Sequence, residues 1–387
     1  MDNSATSFPK PEAVAEAMAR FAVECGASAG RGAYAEARAC GEILAGCRER
    51  IARLLNAERP ECIVFTLNCS HGLNIVIRGL LNTAGPVHAL ATTMDHNSVL
   101  RPYHGLAAQT GLQPQFVPCD GRTGLVDPDD IRKAIRPDTR LLFVVHASNV
   151  TGTVQPIAEI AAVAREAGVP ILVDAAQSAG HLMIDVRQWG ADYVAMPGHK
   201  GLLGPLGTGA LYVRPGAEQR LATMHEGGTG TVSETPVQPE TMPDKFEVGS
   251  HNAVGLAGLS AGVQYVLDRG VGDIQACARA HAARFLAAVE GADGLTVYGP
   301  GREHPDDRTD VFSVRIAGLA PLDLASMLER RFGILTRPGI HCAPLAHQTI
   351  GTLPEGTTRL SFGLFTTTDD VEAAAAALIE IAREARG

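Results

Sequence analysis

The chain has no excess of basic charge: 33 lysines and arginines face 42 aspartates and glutamates, a formal net charge of −9 over 387 residues. A sequence-independent grip on nucleic acid needs a basic surface, so that class of function is set aside. No run approaches the ~20 consecutive apolar residues that cross a bilayer. The start, Met1-Asp2-Asn3-Ser4, lacks the basic opening and apolar stretch of a secretory leader. The expectation is a cytoplasmic protein without membrane attachment. The eight cysteines, at 25, 40, 47, 62, 69, 119, 277 and 342, show no C-x₂-C spacing, which argues against a zinc site or a disulfide framework. No metal is expected. Internal repeats, low-complexity tracts and long linkers are absent as well.

What is there is ordinary in bulk and patterned in detail. Apolar residues make up 45% and charged residues 19%, as in soluble globular proteins, and the length predicts two domains rather than one small core. Ile63-Val64-Phe65-Thr66 reads as a strand ending in a polar loop, followed by a helix with apolar Leu73, Ile75, Val76 and Leu80. Residues 141–145 form a β-rich run that stops at His146-Ala147-Ser148-Asn149. Residues 157–167 have helical spacing ended by Gly168, Ile171-Leu172-Val173 is a buried strand that stops at Asp174, and 191–195 leads into Gly198-His199-Lys200. Apolar strands alternating with helices predict an α/β fold with a mostly parallel sheet covered on both faces. Ligands in such sheets sit beyond the carboxyl ends of the strands, where Asn149, Asp174 and Lys200 all fall.

Past about Gly255 the pattern changes to long helical stretches (257–267 and 274–289), separate strands including 311–316, and helices over 322–330 and 371–385. The division predicted is a large domain over 15–255 and a smaller α+β domain over 256–387, with residues 1–14 packing near the smaller one.

Taken alone, Lys200 is a surface lysine and Asp174 a helix cap. Together they suggest more. A pyridoxal-phosphate (PLP) enzyme needs a lysine amine to hold the cofactor aldehyde and move protons, and a carboxylate to keep the pyridine nitrogen protonated. Lys200 follows an apolar strand and precedes the glycine-rich 201–209, while Asp174 opens Asp174-Ala175-Ala176-Gln177.

Residues 173–181 and the Gly198-His199-Lys200-Gly201 run resemble class V aminotransferases, in the cysteine desulfurase and selenocysteine lyase branch. The resemblance covers almost the whole chain. It begins at residues 2–7 and continues through Met94-Asp95-His96-Asn97-Ser98 and residues 148–152. It ends in residues 337–343 and Thr358-Arg359-Leu360-Ser361-Phe362. It implies PLP fold type I, with a mostly parallel seven-stranded sheet in the large domain. It also implies site roles: Lys200 as the cofactor lysine, His96 stacked on the ring and assisting proton transfer, Asp174 at the ring nitrogen, and Asn149 and Gln177 at the ring oxygen. Cys69 and Ser70 resemble the phosphate-binding turn at a helix start, with His199 as a further phosphate contact. Residues 246–250 resemble the stretch that reaches the neighbouring subunit's phosphate through Ser250, which implies a homodimer with shared sites. Arg359 resembles the arginine that clamps the substrate carboxylate, a role its planar fork suits, and Arg337 is taken with it for substrate binding.

Two departures stand out. Pro197 occupies the place where relatives carry a serine or threonine, and Cys69-Ser70-His71 replaces the usual threonine and glutamate of the phosphate turn. Both bear on how the phosphate is held, and neither touches Lys200 or Asp174.

The fold supports several reactions, and Cys342 discriminates among them. Its setting, Arg337-Pro338-Gly339-Ile340-His341-Cys342-Ala343, resembles the desulfurase loop with the sulfur-accepting cysteine, although Ile340 stands where relatives often have a first histidine. Only a thiolate attacks sulfur readily, and Arg337 and His341 are the neighbours expected to favour it. The resemblance therefore implies conversion of L-cysteine to L-alanine with sulfur left on Cys342 as a persulfide, for discharge to a sulfur-acceptor protein. The alternatives are a selenocysteine lyase or another PLP C–S lyase or epimerase that does not use Cys342, and a low-turnover PLP-binding sulfur-carrier partner.

Overall fold

The computed structural model describes residues 1–386 apart from 30, 31, 33, 83–86 and 113. The apolar runs become strands β1 (Ile63–Thr66), β2 (His88–Thr92), β3 (Gln115–Val117), β4 (Thr139–Val145), β5 (Ile171–Asp174), β6 (Tyr193–Pro197) and β7 (Gly209–Val213). They form one seven-stranded sheet in the order β1-β7-β6-β5-β4-β2-β3. The pairs β2/β3, β2/β4, β4/β5 and β5/β6 are parallel, whereas β7 runs antiparallel to both β6 and β1.

Alternation along the strands builds two cores. Val144, Ile171, Val173 and Val194 face one cluster, with side chains from helices Ala35–Leu54, Ile157–Glu166 and Ala253–Arg269. Leu141, Phe143, Leu172 and Ala195 face the other, with helices Cys69–Leu81 and Asn97–Thr110. A strand with both faces covered needs apolar side chains at every position, hence the continuous runs. Each fully buried Val or Leu contributes ~1.5–3 kcal/mol.

The strand expected over 191–195 begins later, at Tyr193, and Asp192 beside its start ties in neighbouring chain through its carboxylate. Its Oδ2 accepts from Ile171 N at 3.0 Å and its Oδ1 pairs with Arg214 Nη2 at 2.5 Å.

A second sheet follows from β8 (Leu295–Tyr298), β9 (Val311–Ile316), β10 (Arg337–Gly339) and β11 (Thr357–Ser361), antiparallel throughout in the order β10-β11-β9-β8. Helices Val271–Val289, Pro321–Phe332 and Thr368–Glu384 bury Phe285, Leu328 and Leu378 against Phe312, Val314 and Leu360. The last helix starts three residues before the expected 371 because Thr367 and Asp370 form a capping box that satisfies its first N–H groups. The two sheets are braced at the loop after β4: Ser313 Oγ donates to Val150 O at 2.7 Å and Thr309 N to Gly152 O at 2.8 Å. Among the described residues no helix is long and apolar enough to cross a membrane.

The turn after β6 is set by backbone packed on backbone. Gly180 sits at φ +81°, and a Cβ there would lie 2.2 Å from Gly201 O. Only glycine allows this approach, which fixes the residue after Lys200. Gly180→Ala is therefore expected to destabilise the fold by about 3 kcal/mol, read from urea unfolding. A change within 0.5 kcal/mol, the range of ordinary surface substitutions, would mean the turn is not held this way.

Candidate active site

The carboxyl ends of β4, β5 and β6 open into one cleft, the usual place for a ligand in such a sheet. Lys200, Asp174, Gln177, Asn149, His96 and His199 line it, with Cys69 and Ser70 on one side. Two helices begin at its rim. Asn68 caps the helix Cys69–Leu81, its Oδ1 accepting from His71 N at 2.9 Å. His96 caps the helix Asn97–Thr110, its Nδ1 accepting from Ser98 N at 3.0 Å. Helix starts leave N–H groups free and carry partial positive charge, so the rim is suited to an anion. Cys69 and Ser70, expected between strand and helix, are the first two helical residues.

Asp174 is buried, its Oδ1 accepting from Ala176 N at 2.9 Å and from the Cys69 thiol at 3.3 Å. Burial, reinforced by Asp174, pushes that thiol well above its usual range, so Cys69 stays protonated and donates. Burial lowers the pKa of the Lys200 amine, and the Asp174 carboxylate opposes the shift. An amine with a reachable neutral form is what capture of an aldehyde requires. Burial also brings His96 down to about 4, against the pull of Asp174, and His199 down to about 4, helped by Lys200 and Lys10. Both rings are neutral at pH 7. With Nδ1 accepting from Ser98 N, the proton of His96 sits on Nε2.

Arg359, on β11, is 1% exposed and stands behind Asn149: its Nη1 donates to Asn149 O at 3.1 Å and its Nη2 to Asp2 Oδ1 at 2.7 Å. Arg337 lies opposite it in the β10/β11 register, with Nη2 3.5 Å from Cys342 Sγ. Cys342 is exposed. It and His341 adopt left-handed backbone angles, φ +59° and +52°, a conformation that costs a non-glycine residue ~1–2 kcal/mol. The loop is tied to the cleft, with Asn97 N donating to Cys342 O at 2.8 Å and Asn149 Nδ2 to His341 O at 2.7 Å.

His341 does not assist the thiol as expected. Its Nε2 donates to Arg337 O at 2.9 Å, and its Nδ1 accepts from His347 Nε2 at 3.1 Å. His347 Nδ1 in turn accepts from Thr352 Oγ1 at 2.7 Å. Burial, with Arg359 adding to it, holds His341 at about 3. The ring is neutral and committed to buttressing the loop, so the positive charge near the sulfur comes from Arg337, with Arg359 beyond it.

Ser250 lies apart from this cleft, exposed beside Phe65, Leu67, His71 and His251. The donor groups of Asn149 and Gln177 are already engaged within the chain, since Gln177 Nε2 reaches Ser4 O at 3.1 Å. Four residues were missed in the sequence. Ser98 Oγ links Ser70 Oγ at 2.6 Å to His96 Nδ1 at 2.9 Å, and a serine two places after a capping residue was the available signal. Asn68 was legible as a capping residue before a helix. Asp2 and His347 carried no local signal.

The family model for class-V aminotransferases matches residues 1–374. The chain is 37% identical over 385 residues to a probable cysteine desulfurase of Methanothermobacter thermautotrophicus, covering 98% of this chain and 94% of that protein. It is 32% identical to a cysteine desulfurase of Cronobacter sakazakii, with 98% and 93% covered. Among solved structures, an apo cysteine desulfurase from Thermococcus onnurineus superposes with a TM-score of 0.92 at 31% identity, covering 99% of this chain and 94% of that one. A cysteine desulfurase of Escherichia coli, in its S-sulfonic acid form, gives 0.87 at 29% identity with the same coverage.

Proposed function

The chain belongs to the class-V aminotransferase family, whose members depend on pyridoxal phosphate, and on that premise we propose that it is a cysteine desulfurase, moving sulfur from L-cysteine to Cys342 and releasing L-alanine. The cleft suits the cofactor. His199 Nδ1 and Asn149 Oδ1 are buried there without partners, and buried polar atoms are rarely left so unless a bound group completes them.

Lys200 would hold the aldehyde and Asp174 the ring nitrogen. Ser70, His199 and the first-turn N–H groups around Cys69 would hold the phosphate. His96 would cover one ring face, with Gln177 and Asn149 near the ring oxygen. Bound there, pyridoxal phosphate supplies an electrophilic carbon for the substrate amine and a ring that accepts the electron pair left by the α-proton. Lys200 would also be the base that takes the α-proton, helped by its lowered pKa. Arg359 and Arg337 receive the substrate carboxylate. The Cys342 thiolate attacks the substrate sulfur: a sulfur–sulfur bond forms, the carbon–sulfur bond breaks, and its electron pair remains with the carbon that becomes the alanine methyl group. Cys342 is left as a persulfide, and a thiol of the acceptor discharges it.

The observation that carries this reading is the double tie of the Cys342 loop to the cleft, through Asn97 and Asn149. It anchors the backbone of the loop that carries an exposed thiol to residues beside the cleft, which supports a role for that thiol there. We further infer a homodimer, supported by Ser250 being exposed and outside its own chain's cleft, as a residue serving a neighbouring copy must be. Residues 15–255 are taken as the cofactor-binding domain and 256–387 as the smaller one, with 1–14 alongside it.

Purified holoprotein given L-cysteine and a thiol reductant should release alanine and sulfide in equal amounts. Turnover of L-selenocysteine with none of L-cysteine would replace this reading with a lyase. Cofactor binding without turnover of either would leave only the sulfur-carrier role.

A further inference from the structure

Residues 1–10 form a strap from the second sheet to the Lys200 loop. At one end Ser361 N donates to Met1 O at 2.8 Å, Asp2 bridges to Ser361, and Ser4 N donates to Ser361 Oγ at 2.9 Å. At the other end His199 O accepts from Ser7 N at 3.1 Å, Thr6 Oγ1 at 3.0 Å and Lys10 Nζ at 3.2 Å. Between these ends, Asp2 meets the Arg359 guanidinium. We propose that Asp2 is a positioning residue for the substrate-carboxylate site, holding the buried Arg359 fork in place against the repulsion of Arg337. The inference rests on the role given to Arg359 above.

Three observations support it. Arg359 has two fixed anchors in this fold, Asp2 Oδ1 and Asn149 O, and its Nε has no partner. Asp2 is the anchor that carries charge. Two arginines stand opposite each other across β10 and β11, and their mutual repulsion, together with burial, disfavours charge on Arg359, whereas Asp2 favours it. Asp2 also takes only one contact. Arginine has five N–H donors, and with the Nε buried the two bonds named here leave one N–H on each terminal nitrogen for a second carboxylate. Asp2 can therefore hold the fork without displacing substrate from it.

The test uses two amine probes on the holoprotein, followed by the change in cofactor absorbance. L-alanine carries a carboxylate, and cysteamine lacks one. Asp2→Asn should weaken L-alanine about tenfold and leave cysteamine within twofold, with KM for L-cysteine raised about tenfold and kcat little changed. Asp2→Glu should recover at least half of the loss. Equal weakening of both probes, no change, or tighter binding of L-alanine would overturn the proposal, the last by making Asp2 a competitor for Arg359. A wild type that binds cysteamine but not L-alanine would instead overturn the role of Arg359, and this inference with it. If the asparagine variant is less stable in urea unfolding, the cysteamine control and the glutamate variant still separate lost positioning from lost fold.

Discussion

Cys342→Ala is expected to lower alanine and sulfide release from L-cysteine by at least about a thousandfold, while cofactor absorbance and unfolding midpoint stay at wild-type values. Removing the group that attacks is among the largest losses a single substitution produces in a nucleophilic enzyme. Cys342 is the exposed cysteine; Cys25, Cys119 and Cys277 are half-buried, Cys40, Cys47, Cys62 and Cys69 are buried, and burial pushes the thiols of Cys47 and Cys119 up to about 12 and about 11. The stability expectation follows from exposure, since truncating an exposed side chain changes stability by no more than ~0.5 kcal/mol. Cys342→Gly sharpens the test. At φ +59° glycine relieves strain that cysteine carries, so this variant should be equally inactive and no less stable. If either variant turns L-cysteine over at the wild-type rate, Cys342 is not the acceptor and the chemistry is that of a C–S lyase.

Lys200→Ala is expected to abolish turnover, by about ten-thousandfold or more, and to leave the cofactor held without a covalent bond. Two roles are lost together, the amine that captures the aldehyde and the base that moves the α-proton; a positioned acid or base alone contributes ~10²–10⁴. Borohydride treatment followed by mass measurement separates these roles from a folding defect. The wild type should gain the mass of the reduced cofactor and the variant should not, although both elute as folded protein. Cofactor mass on the variant would place the reactive lysine elsewhere. Without the covalent bond to Lys200, the variant should also hold the cofactor less tightly.

Much of the cleft's lining is legible in the sequence, for a physical reason. Asn149, Asp174 and Lys200 each follow an apolar run, and in a parallel sheet every such run ends on the same side. Their convergence in one cleft follows from periodicity and strand direction. Cys69, Ser70 and His96 were legible through motifs that coincide with helix starts. His341 was misjudged because adjacency along the chain does not fix where a ring points. A left-handed backbone at 341 and 342 turns the imidazole toward His347 and Arg337 O and leaves the thiol exposed.

By itself, then, the sequence determined the layered α/β architecture, the family and the lysine–carboxylate pair, all of which rest on short-range patterns of burial and turn chemistry. Only the tertiary structure decided what meets across long separations. Asp2 on Arg359 spans 357 residues, Asn149 on His341 O spans 192, and Ser4 O on Gln177 spans 173. No local propensity encodes such contacts. They exist because two sheets, each folded around its own apolar core, are braced together at the loop after β4, so that the strap, the cysteine loop and the cleft meet there.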